Sequence, residues 1–344
     1  MGSKRHGRRA RRHATVAAAA IAVAAAGGAT ALTGPIRAHV VHTLHVAAGP
    51  TAIAADAHHV WVISTGLGDG HTLTEIDARS GRVDRAIDVG LTPIGVASDG
   101  RRAWVTSEAG FVSAIDPSSG RIVLTAFVGG PAVGVASNGA DVWVTHALPG
   151  APGGAMVTEI SASTGMPVRN IRTRPGAYAI SADTRHVWVA GLGSVAAPGH
   201  TVTEIDETTG TVVRTIGVGQ FPDSISADGR RVWVATPSGL VTSIDAVTGR
   251  RLHTREIAPN LGAIASDRTH VWATVAGYDA VALIDPQTAQ IDATVNAGPG
   301  PASVAADGTH AWVAEYGDGS SVLGDTITEI GVFDGTGATR HGGA

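Results

Sequence analysis

The chain has 344 residues, of which 44% are hydrophobic and 16% charged, so it is long enough to bury a large core and too apolar for intrinsic disorder. It contains 46 glycines, 16 prolines and no cysteine, which excludes disulfide scaffolds and thiolate chemistry and favours short strands joined by tight turns. Six of the 25 Lys and Arg residues lie in the first 31 positions and all 29 acidic residues follow, so the remainder carries a net charge of −10, which disfavours nucleic acid as a partner.

Residues 1–31 have the layout of a secretory signal peptide. Basic residues between Lys4 and Arg12 precede an uncharged Ala/Val-rich run from Ala14 to Ala26, and Ala29-Thr30-Ala31 offers a cleavage site. The layout predicts a secreted, periplasmic or cell-envelope protein. The alternative is an uncleaved anchor, since residues 14–32 are about long enough to cross a bilayer, and membrane attachment would then occur only through this segment.

Tryptophan recurs through the rest of the chain at a nearly constant interval. The seven residues are separated by 39 to 45 positions, and each has an Asp or Asn five positions before it. The pairs are Asp56 and Trp61, Asp99 and Trp104, Asn138 and Trp143, Asp183 and Trp188, Asp228 and Trp233, Asp267 and Trp272, and Asp307 and Trp312. Such self-similarity predicts seven copies of one supersecondary unit that buries its faces against its neighbours.

The second repeat shows the unit most clearly. Apolar runs at Pro93–Ser98, Ala103–Ser107, Phe111–Asp116 and Arg121–Val128 are separated by Asp-Gly and Ser-Gly turn signals, which predicts four antiparallel strands, A to D. The fold class is therefore all-β, a seven-bladed β-propeller with four-stranded antiparallel blades. One propeller domain is expected over residues 32–335, followed by a flexible tail at 336–344.

The two ends of the repeat array complement each other. The last repeat ends after its strand C, Thr326–Gly331, and lacks a strand D. At the other end, Val40–Val46 precedes Pro50 just as Val83–Val89 precedes Pro93. We expect Val40–Val46 to join the last blade as its fourth strand, which closes the ring and covers an open sheet edge.

The repeats resemble those of a known family. Segments such as LTEIDARSGRVDRAIDVG (Leu73–Gly90) and VTEIDETTGTVVRTIGVG (Val202–Gly219) are similar to the YVTN or YncE-like β-propellers, over essentially Val40–Gly335. The resemblance implies a disc with a central channel and, most often, no established catalytic activity. A resemblance to the streptogramin (virginiamycin B) lyases is limited to the phrase Trp312–Glu315.

The loops between strands B and C differ in length, whereas the A–B turns are uniform. Long B–C loops are predicted at Gly66–His71, Pro149–Gly154, Leu192–His200 and Gly317–Gly324. Variable loops on a rigid ring commonly carry binding function, so we expect the ligand on this face, above the channel. The candidate ligand-binding residues are Asp69, His71, Glu108, His146, His200, Glu315, Tyr316 and Asp318, with Asp325 beside them.

These observations favour a non-enzymatic, monomeric binding scaffold for a protein, peptide or cell-envelope ligand, without a cofactor. The alternative is a lyase that opens an ester-linked ring with help from Mg or Ca, or a lactone hydrolase. It would use His146, Glu315 and Tyr316, with the carboxylate and imidazole sharing proton transfer. No metal ligands are assigned, although two Gly-Asp-Gly phrases, Gly68–Gly70 and Gly317–Gly319, admit a cation as well as an ordinary turn.

Four histidines stand two residues before a tryptophan, in predicted A–B turns spread around the opposite face: His59, His186, His270 and His310. We expect them to be exposed turn residues that cannot converge on one metal ion.

Overall fold

The structure of the protein, a computed structural model, describes residues 37–66, 71–90, 92–146, 155–174, 176–193, 198–317 and 323–333. All of them belong to one compact unit. The predicted signal peptide, the C-terminal tail, Asp69, Asp318 and the loop Pro149–Gly154 lie outside the described residues. Within the described ranges, no helix is both long and apolar enough to cross a membrane.

The described chain forms seven four-stranded antiparallel sheets, as the repeat predicted. The first strand is β1 (Arg37–His45). Blade 1 contains β2 (Pro50–Ala55), β3 (His59–Ser64), β4 (Thr72–Asp77) and β5 (Arg82–Asp88); blade 2 contains β6 (Pro93–Ser98), β7 (Ala103–Ser107), β8 (Phe111–Asp116) and β9 (Arg121–Phe127). Blade 3 contains β10 (Ala132–Ser137), β11 (Asp141–His146), β12 (Met156–Ser161) and β13 (Pro167–Arg172).

Blade 4 contains β14 (Ala177–Ala182), β15 (His186–Gly193), β16 (Pro198–Asp206) and β17 (Val212–Gly217). Blade 5 contains β18 (Ser224–Ala227), β19 (Arg231–Ala235), β20 (Leu240–Asp245) and β21 (Arg251–Glu256). Blade 6 contains β22 (Leu261–Ser266), β23 (Val271–Val275), a 3₁₀ turn η1 (Ala276–Tyr278), β24 (Ala280–Ile284) and β25 (Ile291–Asn296). Blade 7 contains β26 (Pro301–Ala306), β27 (His310–Glu315) and β28 (Thr326–Phe333) and takes β1 as its fourth strand.

The strands run outward from the centre in the order A to D. Each strand A contacts the strand A of both neighbouring blades, so these seven strands form the inner ring. The buried apolar side chains form seven clusters, each between two adjacent blades and each containing one tryptophan. Trp104, for example, packs with Val142, Val144 and Ile160 of the next blade. The B strands are apolar on both faces because each face is covered by a different cluster.

The five-residue spacing from Asp to Trp lets one aspartate bind both the backbone of the A–B turn and the indole. In blade 7, the Oδ1 atom of Asp307 accepts hydrogen bonds from the backbone N–H of Thr309 and His310, and its Oδ2 accepts one from the Trp312 indole at 2.9 Å. Asp99 and Asp183 make the same bonds in their own blades, with the indoles at 2.9 and 3.2 Å. One carboxylate therefore caps the turn and satisfies the only polar atom of a fully buried ring.

Buried ion pairs join strands C and D in three blades. Glu75, Glu159 and Glu204 lie on the third strands of blades 1, 3 and 4, and their carboxylates contact arginines on the fourth strands. The distances are 3.0 Å from Arg85 to Glu75, 2.8 Å from Arg169 to Glu159 and 2.7 Å from Arg214 to Glu204. Burial raises the pKa of each carboxyl, and the arginine opposes that rise.

Two of these arginines also contact the following blade. Arg169 donates a hydrogen bond to the Thr208 carbonyl at 3.1 Å, and Arg214 donates one to the Thr248 carbonyl. Both carbonyls belong to the C–D turn of the next blade. The ion pairs thus link neighbouring blades near the rim, outside the hydrophobic clusters.

The ring is closed as predicted. Strand β1 pairs antiparallel with β28 from Arg37 opposite Phe333 to His45 opposite Thr326, with one irregularity between Val40 and His42. The observed strand begins three residues before the predicted Val40–Val46 and ends one residue earlier.

His42 takes the place that arginine holds in blades 1, 3 and 4. Its Nδ1 lies 2.6 Å from Oε2 of the buried Glu329, and its ring faces Gly81 in the C–D turn of blade 1. His310 approaches the other oxygen of Glu329 at 3.6 Å. The contact across the closure therefore depends on imidazoles instead of a guanidinium.

The four A–B turn histidines are less exposed than expected. His59, His186 and His310 are half-buried and His270 is buried. Three of them pack against the tryptophan two residues later, with ring centroids 5.8 to 6.2 Å apart, namely His59, His186 and His270. The expectation of simple surface residues was wrong because the tryptophan side of the turn offers an aromatic surface that covers them.

Candidate ligand-binding site

The predicted ligand-binding residues that the structure describes differ in their exposure. Glu108, His200, Tyr316 and Asp325 are exposed, and Asp325 lies 3.3 Å from His45 of β1. His71 is half-buried, and its Nδ1 atom is buried without a hydrogen-bond partner in the described part of the chain.

His146 ends strand B of blade 3. Its Nε2 lies 2.8 Å from the Thr158 hydroxyl, which donates in turn to the Asn170 side-chain oxygen at 2.7 Å. Burial lowers the pKa of His146, so the ring is neutral around pH 7. A neutral imidazole could accept a proton, but this nitrogen is already engaged within its own blade.

Glu315 occupies the corresponding position of blade 7. It is 2% exposed and accepts hydrogen bonds from the hydroxyls of Thr326, at 2.5 Å, and Thr328. Burial raises its pKa, and the two hydroxyl hydrogen bonds oppose that rise. Both hydroxyls come from the adjacent strand β28.

The structure does not join His146 to Glu315. They stand in blades 3 and 7, which are not neighbours in the ring, and no hydrogen bond or ion pair among the described residues connects them. In the described ranges, no group of three or more His, Asp or Glu side chains has the arrangement of a metal site. The proposed acid/base pair therefore stays a prediction.

A polar pair that the sequence analysis missed lies at the mouth of the channel. Tyr178 is the second residue of β14, and Asp223 directly precedes β18, at the corresponding position of the next blade. These positions follow the D–A loops, so they open on the same face as the B–C loops. Ala177 and Pro222, one residue earlier, are buried, whereas Tyr178 is 37% exposed.

One carboxylate oxygen of Asp223 accepts no hydrogen bond in the described structure. Its Oδ1 atom is buried without a hydrogen-bond partner, and burial raises the pKa of the carboxyl to about 7, against a smaller opposing effect of a backbone hydrogen bond. Burial also raises the pKa of Tyr178, and the negative charge of Asp223 adds to that rise, which places the two groups within electrostatic reach.

The surrounding backbone holds this pair in place. The Thr145 hydroxyl of blade 3 donates to the Tyr178 carbonyl at 2.6 Å. The D–A loop before Asp223 is anchored by a hydrogen bond of 2.8 Å from the Phe221 N–H to the Gly199 carbonyl of blade 4, and Phe221 adopts a left-handed φ of 55°. The same left-handed conformation occurs at the equivalent position of other blades, for example at Thr92 and Asn260, so it belongs to the repeat, and the unsatisfied carboxyl is what distinguishes this site.

A comparison of the repeats position by position would have revealed Asp223. The equivalent residues of the other blades are Thr51, Ile94, Val133, Tyr178, Gly262 and Ala302. Asp223 is the only charged residue in that set, so neither the turn signals nor the strand pattern accounts for it.

No family model and no curated protein matches the chain. Among solved structures, a chain titled Kuenenia stuttgartiensis hydrazine synthase is similar, with a TM-score of 0.64 and 20% identity over 79% of this chain and 94% of that chain. At that identity the likeness supports the fold alone. The chain is a seven-bladed β-propeller. Membership of the YVTN or YncE-like family stays a prediction.

Proposed function

We propose that the protein is an exported, non-enzymatic, YncE-like propeller that binds a peptide or cell-envelope ligand at the mouth of its channel. The ligand presents an ammonium group, which the carboxylate of Asp223 receives. The observation that carries this proposal is the buried, unpartnered Oδ1 atom of Asp223.

An ammonium group suits this position for two physical reasons. A buried carboxyl whose pKa is raised to about 7 gains a counter-charge when a cation binds, and charge-assisted hydrogen bonds are roughly twice as strong as neutral ones. The neighbouring Tyr178 adds an aromatic ring and a hydroxyl, both of which favour cations. The excess of acidic over basic residues beyond position 31 also favours a cationic partner.

Binding is preferred to catalysis because the acid and base candidates already have partners. His146 and Glu315 are held by threonine hydroxyls of their own blades. Export is supported by the layout of residues 1–31.

The test uses a peptide array in which each lysine-containing peptide has a matched norleucine version. We expect a subset of lysine peptides to bind and their norleucine partners not to bind. Asp223→Asn should weaken binding at least about tenfold, or about 1.4 kcal/mol, whereas Asp88→Asn, an exposed carboxylate on β5, should leave binding unchanged. Equal binding of lysine and norleucine peptides, or unchanged binding by the Asp223→Asn protein, would contradict the proposal.

A further inference from the structure

A cavity lies on the opposite face of the ring, between the turns of blades 5 and 6. Its volume is about 280 Å³, and its lining includes three arginines, Arg230, Arg231 and Arg268. Asp228, Asp245 and Gln287 also line it. We call it the arginine cavity. A concentration of guanidinium groups is notable in a chain with an acidic excess beyond its leader.

Arg268 reaches the cavity at the cost of backbone strain. It has a φ of 76°, in the left-handed region, where four other blades have glycine at the same turn position. Those glycines are Gly100, Gly139, Gly229 and Gly308. An arginine is less favourable than glycine in this region, because its Cβ crowds the backbone. Its Nε donates to the Asp228 carbonyl of blade 5 at 2.9 Å, which holds the guanidinium across the boundary between the blades.

Arg231 supplies a donor without a partner. Its Nη2 donates to the Gln287 side-chain oxygen at 2.9 Å, but its Nη1 is buried without a hydrogen bond among the described residues. The equivalent residue of blade 2, Arg102, donates its Nη1 to the Ala162 carbonyl of blade 3. The same arginine is therefore satisfied between blades 2 and 3 and unsatisfied between blades 5 and 6.

The two carboxylates in the lining are engaged by their own turns. Asp228 Oδ1 accepts hydrogen bonds from the N–H of Arg230 and Arg231, both at 2.8 Å. Asp245 Oδ1 accepts from the N–H and hydroxyl of Thr248, both at 2.7 Å, and these bonds lower its pKa. The Oδ1 atom of each carboxylate is therefore bound to its own turn. The cavity lining carries three guanidinium groups and two carboxylates, so its net charge is positive.

We infer that the arginine cavity binds a phosphate group. Guanidinium groups match the oxygens of phosphate bidentately, and a dianion with several acceptor oxygens can satisfy donors from more than one arginine. The volume is close to the lower end of ligand pockets, so it suits one phosphate with a small substituent. This site is independent of the channel mouth and lies on the other face.

The probe is inorganic phosphate, titrated into the full chain at constant ionic strength and followed by calorimetry and by ³¹P NMR line width. We expect saturable binding at one site. Arg231→Gln and Arg268→Gly should each weaken binding about tenfold or more. Arg268→Gly relieves the left-handed strain, so a loss of binding cannot be attributed to misfolding when thermal unfolding shows an intact protein. Arg102→Gln, the matched change in blade 2, and Asp223→Asn should leave phosphate binding unchanged.

An acetate titration completes the experiment. Phosphate should bind more tightly than acetate, and acetate binding equal to or tighter than phosphate would overturn the assignment in favour of a carboxylate site. Non-saturable binding, or phosphate binding that survives both Arg231→Gln and Arg268→Gly, would overturn the site altogether. Because Asp223 takes no part, failure here leaves the proposed function at the channel mouth unaffected.

Discussion

An aspartate five residues before a tryptophan can organise both a turn and the packing of a buried ring. In blade 7, burial alone would raise the pKa of Asp307, but hydrogen bonds from His310, Trp312 and Thr309 hold it at about 2. Blade 3 has Asn138 at this position. It caps its turn in the same way, yet the Trp143 indole has no partner among the described residues. The turn can thus be formed by an amide. A carboxylate does not by itself ensure the indole bond, because Trp61, Trp233 and Trp272 also follow an aspartate and their indoles have no hydrogen-bond partner among the described residues.

Replacing Asp307 by Asn should therefore destabilise the protein by about 2 kcal/mol at pH 7. A carboxyl whose folded pKa lies below its unfolded value stabilises the fold above the unfolded value, near 3.8, and that contribution is lost as the pH falls through about 2. The difference between wild type and Asp307→Asn in urea unfolding should shrink over this range. Asp228→Asn serves as the control, because the Trp233 indole has no hydrogen-bond partner in the part of the chain that the structure describes, and it should cost less. Equal losses for the two variants would mean that the indole bond contributes nothing.

The pKa of Asp223 is shifted in the opposite direction to that of Asp307, so its effect on stability also has the opposite dependence on pH. Its folded pKa of about 7 lies above the ordinary value of 3.8, so its burial costs increasing stability as the pH rises from about 4 to 7. Asp223→Asn should unfold like wild type near pH 4 and be more stable at pH 8, by up to about 4 kcal/mol. Urea titrations at several pH values measure this gain, and Asp88→Asn, at an exposed position, should show none. A pH-independent difference would contradict the raised pKa.

At the scale of the strands, blades differ in how they contact the next blade. Blades 1, 3 and 4 have a buried glutamate and an arginine, whereas the paired positions of blades 2 and 6 hold Ala114 with Leu124 and Leu283 with Ala293. In blade 5 the pair is Ser243 and His253. The contact between blades near the rim is thus ionic in some blades and apolar in others, while the tryptophan clusters are common to all.

Strand β1 is the element on which ring closure depends. A chain that begins at Pro50 lacks it, and should leave the edge of β28 and the buried Glu329 uncovered. We expect a lower unfolding temperature and concentration-dependent association through the exposed edge, measured by calorimetry and size-exclusion chromatography. A chain that begins at Leu32 keeps β1 and is the control. If both chains unfold at the same temperature as monomers, β1 is dispensable.

The sequence was sufficient for the elements because propeller strands are specified locally. Turn signals and apolar runs determined the four strands of each blade, and the missing strand D after Thr326–Gly331 implied the closure. The ion pairs could also have been predicted from the sequence, since Glu75, Glu159 and Glu204 each precede their arginine by ten residues. Asp223 was missed because its importance comes from burial and from a neighbour one blade away. The arginine cavity was missed for the same reason, as Arg231 and Arg268 meet only across a blade boundary.

At the scale of the whole molecule, one of the seven blade contacts differs in kind. The chain runs continuously from each blade into the next except between blades 7 and 1, where the fourth strand of blade 7 comes from the N-terminal part of the chain. Here too the rim contact uses His42 instead of arginine, beside Glu329 and His310. Closure of the ring therefore combines the pairing of distant chain segments with two imidazoles beside a buried carboxylate.

Changing His310 to Gln should weaken the dependence of stability on pH at this closure. Asp307 raises the pKa of His310 because it accepts a hydrogen bond from the ring, burial opposes that rise, and the charges of Asp307 and Glu329 add to it. The stabilising charge of His310 is therefore present below about pH 6.5 and lost as the pH rises through its folded value. A glutamine side chain keeps hydrogen-bonding groups at this position but carries no charge at any pH. Between pH 5.5 and 8.5, wild type should lose more stability than His310→Gln, by roughly 1 kcal/mol. Identical pH profiles for the two proteins in urea unfolding would show that His310 does not make the closure sensitive to pH.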